Sequence, residues 1–238
     1  MSSLQQTLLL TTMAGLAIPV GALLARIEQI KPQWLEEEFR HSVIAFGGGI
    51  LISAVALVLV PEGVKELSLS GVIAAFLAGG AVFYGIEYLL ERSKGAMSQL
   101  AAMLSDFVPE AIALGAAFAG GGEAGLLLAV LITLQNLPEG FNAYREMADG
   151  DNSWSRTKIT GVFFLLVPLG PVAGFAGHEW LSSYPAVIGF IMLFAASGIL
   201  YLTFQDLAPQ AKLEKRNAPA LGAVLGFLFG LVGQQLIG

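Results

Sequence analysis

Apolar residues fill eight stretches of this chain, and polar or charged residues gather in the gaps. The stretches cover residues 7–24, 42–60, 71–90, 100–120, 124–143, 159–176, 184–202 and 218–237. A helix needs about 20 mostly apolar residues to cross the hydrocarbon core of a bilayer, and each stretch is close to that length. The pattern predicts an all-α membrane protein with eight transmembrane helices. The first stretch lacks the basic flank of a signal peptide, so it is expected to be kept as a helix. The gaps are short, apart from a segment of mixed charge near 28–40 and a polar one near 145–158.

Composition agrees with the pattern. Hydrophobic residues make up 55% of the 238 and charged residues only 13%, against about 25% charged in a soluble domain. The mean hydropathy is +0.73. A net charge of −6 changes little, because many of the acids fall in the gaps. The chain has no cysteine, which excludes disulfides and thiolate metal sites. Its 29 glycines suit close helix packing in lipid. No nucleic-acid partner is expected.

The basic residues are unevenly shared between the loops. The first loop holds Arg26, Lys31 and Arg40, and the third holds Arg92 and Lys94. Arg145, Arg156 and Lys158 fall in the fifth, and Lys212, Lys215 and Arg216 in the seventh. The even loops together carry only Lys65. By the positive-inside rule the odd loops face the cytoplasm, and both termini are expected outside it.

The chain also echoes itself. Pro19-Val20-Gly21 in the first span matches Pro168-Leu169-Gly170 in the sixth. Gly49-Ile50-Leu51 in the second matches Gly198-Ile199-Leu200 in the seventh, at the same offset. With the orientation above, the matching spans run in opposite directions. The expectation is one transmembrane domain over residues 1–238, built as an inverted repeat: half one over about 5–95, central helices over about 98–145, half two over about 157–238. Such repeats are a common build for transporters with a midplane site.

The two central spans carry the chemistry. One reads Asp106-Phe107-Val108-Pro109-Glu110, the other Gln135-Asn136-Leu137-Pro138-Glu139-Gly140. Positions i and i+4 share a helix face, so Asp106 and Glu110 pair on one helix, and Gln135 and Glu139 on the other. Each proline removes a backbone hydrogen bond and bends its helix, freeing the carbonyls of Ser105 and Leu134. A freed carbonyl at membrane depth is tolerated only where protein or a cavity satisfies it. A charged group at mid-bilayer costs roughly 2.5–3.5 kcal/mol on insertion scales. Three carboxylates and two amides converging there point to a bound cation. An all-oxygen set suits hard or borderline divalent ions.

These motifs resemble those of the ZIP family of divalent-metal transporters, in its bacterial branch, and the resemblance extends along nearly the whole chain. Gly15-Leu16-Ala17-Ile18-Pro19-Val20-Gly21 looks like the family's first helix. Gly49-Ile50-Leu51, running on to Val60-Pro61-Glu62, looks like the second. Gly198-Ile199-Leu200-Tyr201, followed by Asp206-Leu207-Ala208-Pro209, looks like the seventh. The resemblance implies inward transport of a divalent metal as substrate (zinc, iron or manganese), with no tightly bound cofactor and no enzymatic activity. It implies a location in the cell inner membrane and a homodimer. It assigns a first metal to Asp106, Glu110, Gln135 and Glu139, with Asn136 toward a second.

The chain departs from the family at several of these positions. Asp106 stands where histidine is usual, and Leu51 where a methionine touches the metal. Phe107 and Val167 occupy two positions that help hold the second metal, the latter normally a glutamate. Val58 stands where a serine often lines the entry path. The first site is therefore expected in a histidine-free form and the second is expected to be lost.

Other readings stay open. The carboxylates could form a proton relay or a structural network, and Gln135 an ordinary interhelical bridge. A non-conducting metal sensor, or an intramembrane hydrolase using Asp106 and Glu110, are the rival functions; the scarcity of histidine argues against the hydrolase. Glu87 is expected to reach toward Arg92. Glu62 and Asp206 sit before prolines near span ends. His41 and His178 lie at span edges, far in sequence from the motifs. Glycines 47–49 and 120–122 read as packing and turn positions.

Overall fold

The computed structural model describes residues 2–28, 33–93, 96–119, 123–149, 153–212 and 217–237. Lys31, Lys94, Lys215, Arg216 and glycines 120–122 lie outside the described residues, as do the side chains of Asp106 and Arg92. Among the described residues the chain is helical, with no strand.

Helix α1 (Ser3–Ile27) opens on a capping box: Ser2 Oγ accepts from the Gln5 N–H, and Gln5 Oε1 accepts from the Ser2 N–H. Helix α2 (Gln33–Ala54) continues through a π-helical turn (Val55–Leu59) into a last segment (Val60–Lys65). Then come α3 (Leu69–Ser93), α4 (Ala96–Ala119) and α5 (Glu123–Asp149). Helix α6 starts at Arg156–Leu166, turns at Val167 and Pro168, and resumes over Leu169–Ala176 and a π turn (Gly177–Leu181). Helix α7 (Pro185–Leu202) likewise runs through a π turn (Thr203–Leu207) into Ala208–Gln210, and α8 (Ala218–Ile237) closes the chain.

Prolines explain the interruptions. Pro168 has no N–H to return to the Phe164 carbonyl, and the Val167 N–H takes that carbonyl instead, at 3.3 Å. In α2 the Val60 N–H reaches back five residues to Val55, just before Pro61. In α7 the Ala208 N–H reaches back five to Thr203, just before Pro209. A widened turn fits where the following proline would otherwise crowd the carbonyl four residues earlier. The apolar pattern alone gave no sign of these turns.

Among the described residues six helical runs are long and apolar enough to cross a membrane: Ser3–Ile27, Glu36–Lys65, Leu69–Leu90, Arg156–Leu181, Pro185–Gln210 and Ala218–Ile237. They make this an integral membrane protein. Helices α4 and α5, which carry the two motifs, are not among the six.

Glycine decides which helices approach closely. A Cβ on Gly49 would collide with the Ala223 carbonyl, and one on Gly226 with the Phe46 carbonyl, so α2 and α8 pack backbone to backbone. The Phe46 and Phe229 rings meet edge to face beside this seam, centroids 5.6 Å apart. Gly79 of α3 faces the Phe194 carbonyl of α7 in the same way. Gly21 faces the Leu137 carbonyl and Gly140 the Ile18 carbonyl, clamping α1 to α5. Gly115 of α4 meets the Gly174 carbonyl of α6. Ile18, Ile50, Leu59, Leu114 and Leu131 form the buried centre between α1, α2, α4 and α5. Large apolar side chains such as Leu77, Leu221 and Phe229 face outward, as suits lipid.

Candidate metal site

Helices α4 and α5 run on as helix through Pro109 and Pro138. The Pro138 ring is seated against α2, where a Cβ on Gly47 would lie 3.0 Å from the proline Cγ. Gly47 thus makes room for the proline, as its reading as a packing glycine predicts.

The packing of α4 against α5 brings one side chain from each motif into contact. Glu110 on α4 is 2% exposed, and Gln135 and Asn136 on α5 are 4% and 0% exposed. Gln135 Nε2 donates to Glu110 Oε2 at 2.9 Å and to Asn136 Oδ1 at 2.6 Å. Asn136 Nδ2 donates to the Ala14 carbonyl of α1 at 2.8 Å. The two ends fix the sense of both amides. A backbone carbonyl can only accept, so Asn136 must present its NH2 to Ala14 and its oxygen to Gln135. Gln135 must then turn its own NH2 toward Asn136 and Glu110. Both of its N–H groups are engaged, and its Oε1 is the atom left to face a cation.

Glu139 is half-buried, one residue beyond Pro138, and its charge and that of Glu110 repel. Two repelling carboxylates removed from water call for a cation or a proton between them. Glu110, Glu139 and Gln135 Oε1 can supply oxygen ligands to such an ion. Asp106 lies on α4 one turn before Glu110, but its side chain is outside the described residues. Among the described residues no group of three or more His, Cys, Asp or Glu side chains gathers to hold a metal.

Phe107 takes a different place. It is 1% exposed, and its ring lies between α1 and α6. A Cβ on Gly15 would be 3.4 Å from Phe107 Cζ, and one on Gly170 only 3.0 Å. The same Gly15 Cβ would come within 3.0 Å of the Val167 carbonyl oxygen. Two glycines, one on each flanking helix, thus shape a slot for the phenyl ring. Leu51 and Val58 are buried on α2.

The remaining sequence candidates are engaged locally. His41 Nδ1 contacts the Glu37 carbonyl at 2.6 Å. His178 contacts Ser3 Oγ through Nε2 and Glu179 through Nδ1, both at 3.0 Å. Glu62 pairs with Lys65 at 2.6 Å on the surface, a bond of little energetic weight. Asp206 and Glu87 each have a partner.

Sequence reasoning missed a polar junction at the other end of α5. Arg145 Nη1 donates to Glu28 Oε2 at 2.6 Å, and its Nη2 pairs with Glu36. One guanidinium therefore joins the end of α1, the start of α2 and α5. The spacing of charges in the sequence carries no signal for it, because the three residues are brought together only by helix packing.

No family model matches the chain. A zinc transporter, ZupT, from Chlorobium phaeovibrioides (strain DSM 265 / 1930) is 25% identical over 254 aligned residues, which cover 89% of this chain and 90% of the relative. The chain is thus similar over nearly its whole length to a zinc transporter, and it carries paired proline–glutamate motifs on two packed helices like those of the ZIP family it resembles.

Proposed function

We propose that this protein carries a divalent transition-metal ion across the membrane and into the cytoplasm, through an oxygen-lined site between α4 and α5. The observation that carries the reading is the buried junction of Glu110 and Gln135 beside Glu139. Buried carboxylates at membrane depth are costly unless they serve a permeating ion or proton. The similar Chlorobium protein is named as a zinc transporter, which points the same way. Zinc, iron and manganese are the candidate substrates. Glu110, Glu139, Gln135 and Asp106 are the proposed ligands. Asn136 is already committed to Ala14 and Gln135, which favours a positioning role at the edge of the site.

In this reading all eight helices cross the bilayer, in a 3+2+3 inverted repeat with both termini outside. Two features support the repeat. The π turns Val55–Leu59 and Thr203–Leu207 fall within one residue of matching places in α2 and α7, each followed at the same spacing by a proline. Gly49 seats α2 on α8, and the matching Gly198 seats α7 on the Phe83 ring of α3. Exchanging the halves exchanges those two pairs.

Helices α1, α4, α5 and α6 are tied by the Asn136–Ala14 bond and by the Phe107 slot. That bundle moving against α2, α3, α7 and α8 would give alternating access. Phe107 fills the space where the family resemblance puts a second ion, so one metal per protomer is the expected load.

The test is metal uptake into proteoliposomes. Glu139→Ala abolishes uptake while the protein still inserts and elutes as a single species, since losing a membrane-buried charge does not by itself destabilise. Uptake at the unmodified rate would end the proposal.

A further inference from the structure

A cleft of about 290 Å3 opens where α1 ends, α5 ends and α6 begins, and Arg26, Glu28, Tyr144, Arg145 and Arg156 line it. Among the described residues three guanidiniums and one carboxylate line it. Glu28 is bound to Arg145, whose other nitrogen is held by Glu36. Arg26 and Arg156 form no ion pair among the described residues. Arg156 is also the first residue of α6, where exposed backbone N–H groups add partial positive charge. The cap residue Ser155 accepts the Lys158 N–H at its Oγ and supplies no negative group.

Tyr144 provides an independent sign of a ligand. Its side chain is 3% exposed, and its buried hydroxyl has no hydrogen-bond partner among the described residues. Buried tyrosine hydroxyls usually find a partner, and leaving one unpaired costs about 1–3 kcal/mol. The protein has gathered positive charge and one unmet hydroxyl around a single cleft. A cation has no reason to sit there.

We propose that this cleft binds a phosphate-type oxyanion. The guanidinium fork matches phosphate oxygens. A phosphoryl oxygen seated between Arg26 and Arg156 accepts from both and from the Tyr144 hydroxyl. The cleft lies where the apolar run of α1 stops and that of α6 starts, which on the proposed topology is where lipid headgroups would meet it. Basic pockets between membrane helices commonly hold anionic headgroups. The phosphoryl group comes either from such a lipid or from free phosphate, and the chemistry of recognition is the same.

Thermal unfolding of the purified full-length protein decides between the sources. Inorganic phosphate is titrated into detergent-solubilised protein against chloride at matched ionic strength. In parallel, the protein is placed in phosphatidylcholine vesicles with and without phosphatidylglycerol. A saturable rise of about 2–4 °C with phosphate assigns the free anion. A similar rise confined to phosphatidylglycerol vesicles assigns the lipid headgroup. Either rise disappears in the Arg26→Gln, Arg156→Gln double variant, whose changes are at exposed positions without ion pairs. Tyr144→Phe weakens the half-saturation point about tenfold yet leaves the ligand-free midpoint unchanged or higher, because its hydroxyl bonds to nothing among the described residues. No rise from either probe, or the same rise in the double variant and in Tyr144→Phe, would overturn the proposal.

Discussion

Gln135 on α5 donates one amide hydrogen to Glu110 on α4 across 2.9 Å, inside the helix bundle. The other goes to Asn136, which holds the Ala14 carbonyl of α1. Three helices thus meet through one line of polar atoms, and the carboxylate at its end is aimed by groups that do not themselves carry charge.

That line separates positioning from ligation. Asn136→Ala removes the bond to Ala14 and frees Gln135 to turn. Hydrogen bonds between membrane helices are worth about 0.6–2 kcal/mol, so stability falls by that amount and metal affinity falls with it. Glu139→Ala should lose uptake without the stability loss. Denaturant unfolding run beside metal binding checks both; an Asn136→Ala protein of unchanged stability would show that the Ala14 bond is not formed.

Selectivity follows from the ligand atoms. With Asp106 and Leu51 where the family resemblance expects histidine and methionine, the proposed ligand set holds no imidazole or thioether. Oxygen-only sites favour manganese or ferrous iron relative to their standing at nitrogen and sulfur sites. Asp106→His therefore shifts preference toward zinc. Competition uptake with zinc and manganese measures it, and a parent protein already strongly selective for zinc over manganese would contradict it.

On the proposed function, the Phe107 side chain in its slot leaves a place for one ion. Calorimetry or anomalous diffraction is expected to find one divalent ion per protomer, not two bridged by Glu110 and Glu139. Phe107→Asn with Val167→Glu restores oxygen atoms and should add a second ion. The exchange also empties a slot shaped by Gly15 and Gly170. Phenylalanine truncations in a core cost about 3–5 kcal/mol, so the double variant is expected to melt earlier until metal is added.

Helix approach can be tested by methyl groups. Gly140→Ala drives a Cβ into the Ile18 carbonyl and must separate α1 from α5; overpacking of this kind costs about 1–3 kcal/mol. Gly85→Ala and Gly161→Ala meet open space and should be neutral or stabilising by about 0.4–1 kcal/mol. Equal melting points for all three would mean that α1 and α5 do not touch there.

Much of this protein is legible in one dimension. Runs of apolar residues announce membrane helices because lipid offers no partner to a bare backbone, and the length of a run reports the thickness to be crossed. The i, i+4 spacing of Gln135 and Glu139, with Pro138 between them, marks the polar place because helix geometry is local. The odd residue Phe107 could be noticed against a family resemblance. What fills its surroundings could not, since Gly15 and Gly170 lie on two other helices. The π turns were hidden as well, because whether a turn widens before Pro61 or Pro209 depends on how the following segment must pack. The junction of Arg145 with Glu28 and Glu36, and the unmet hydroxyl of Tyr144 nearby, exist only once α1, α2, α5 and α6 are brought together. Local hydrogen bonding and hydropathy are written along the chain; the meeting of distant charges is decided by packing, where backbone contacts through glycine fix which helix ends share a cleft.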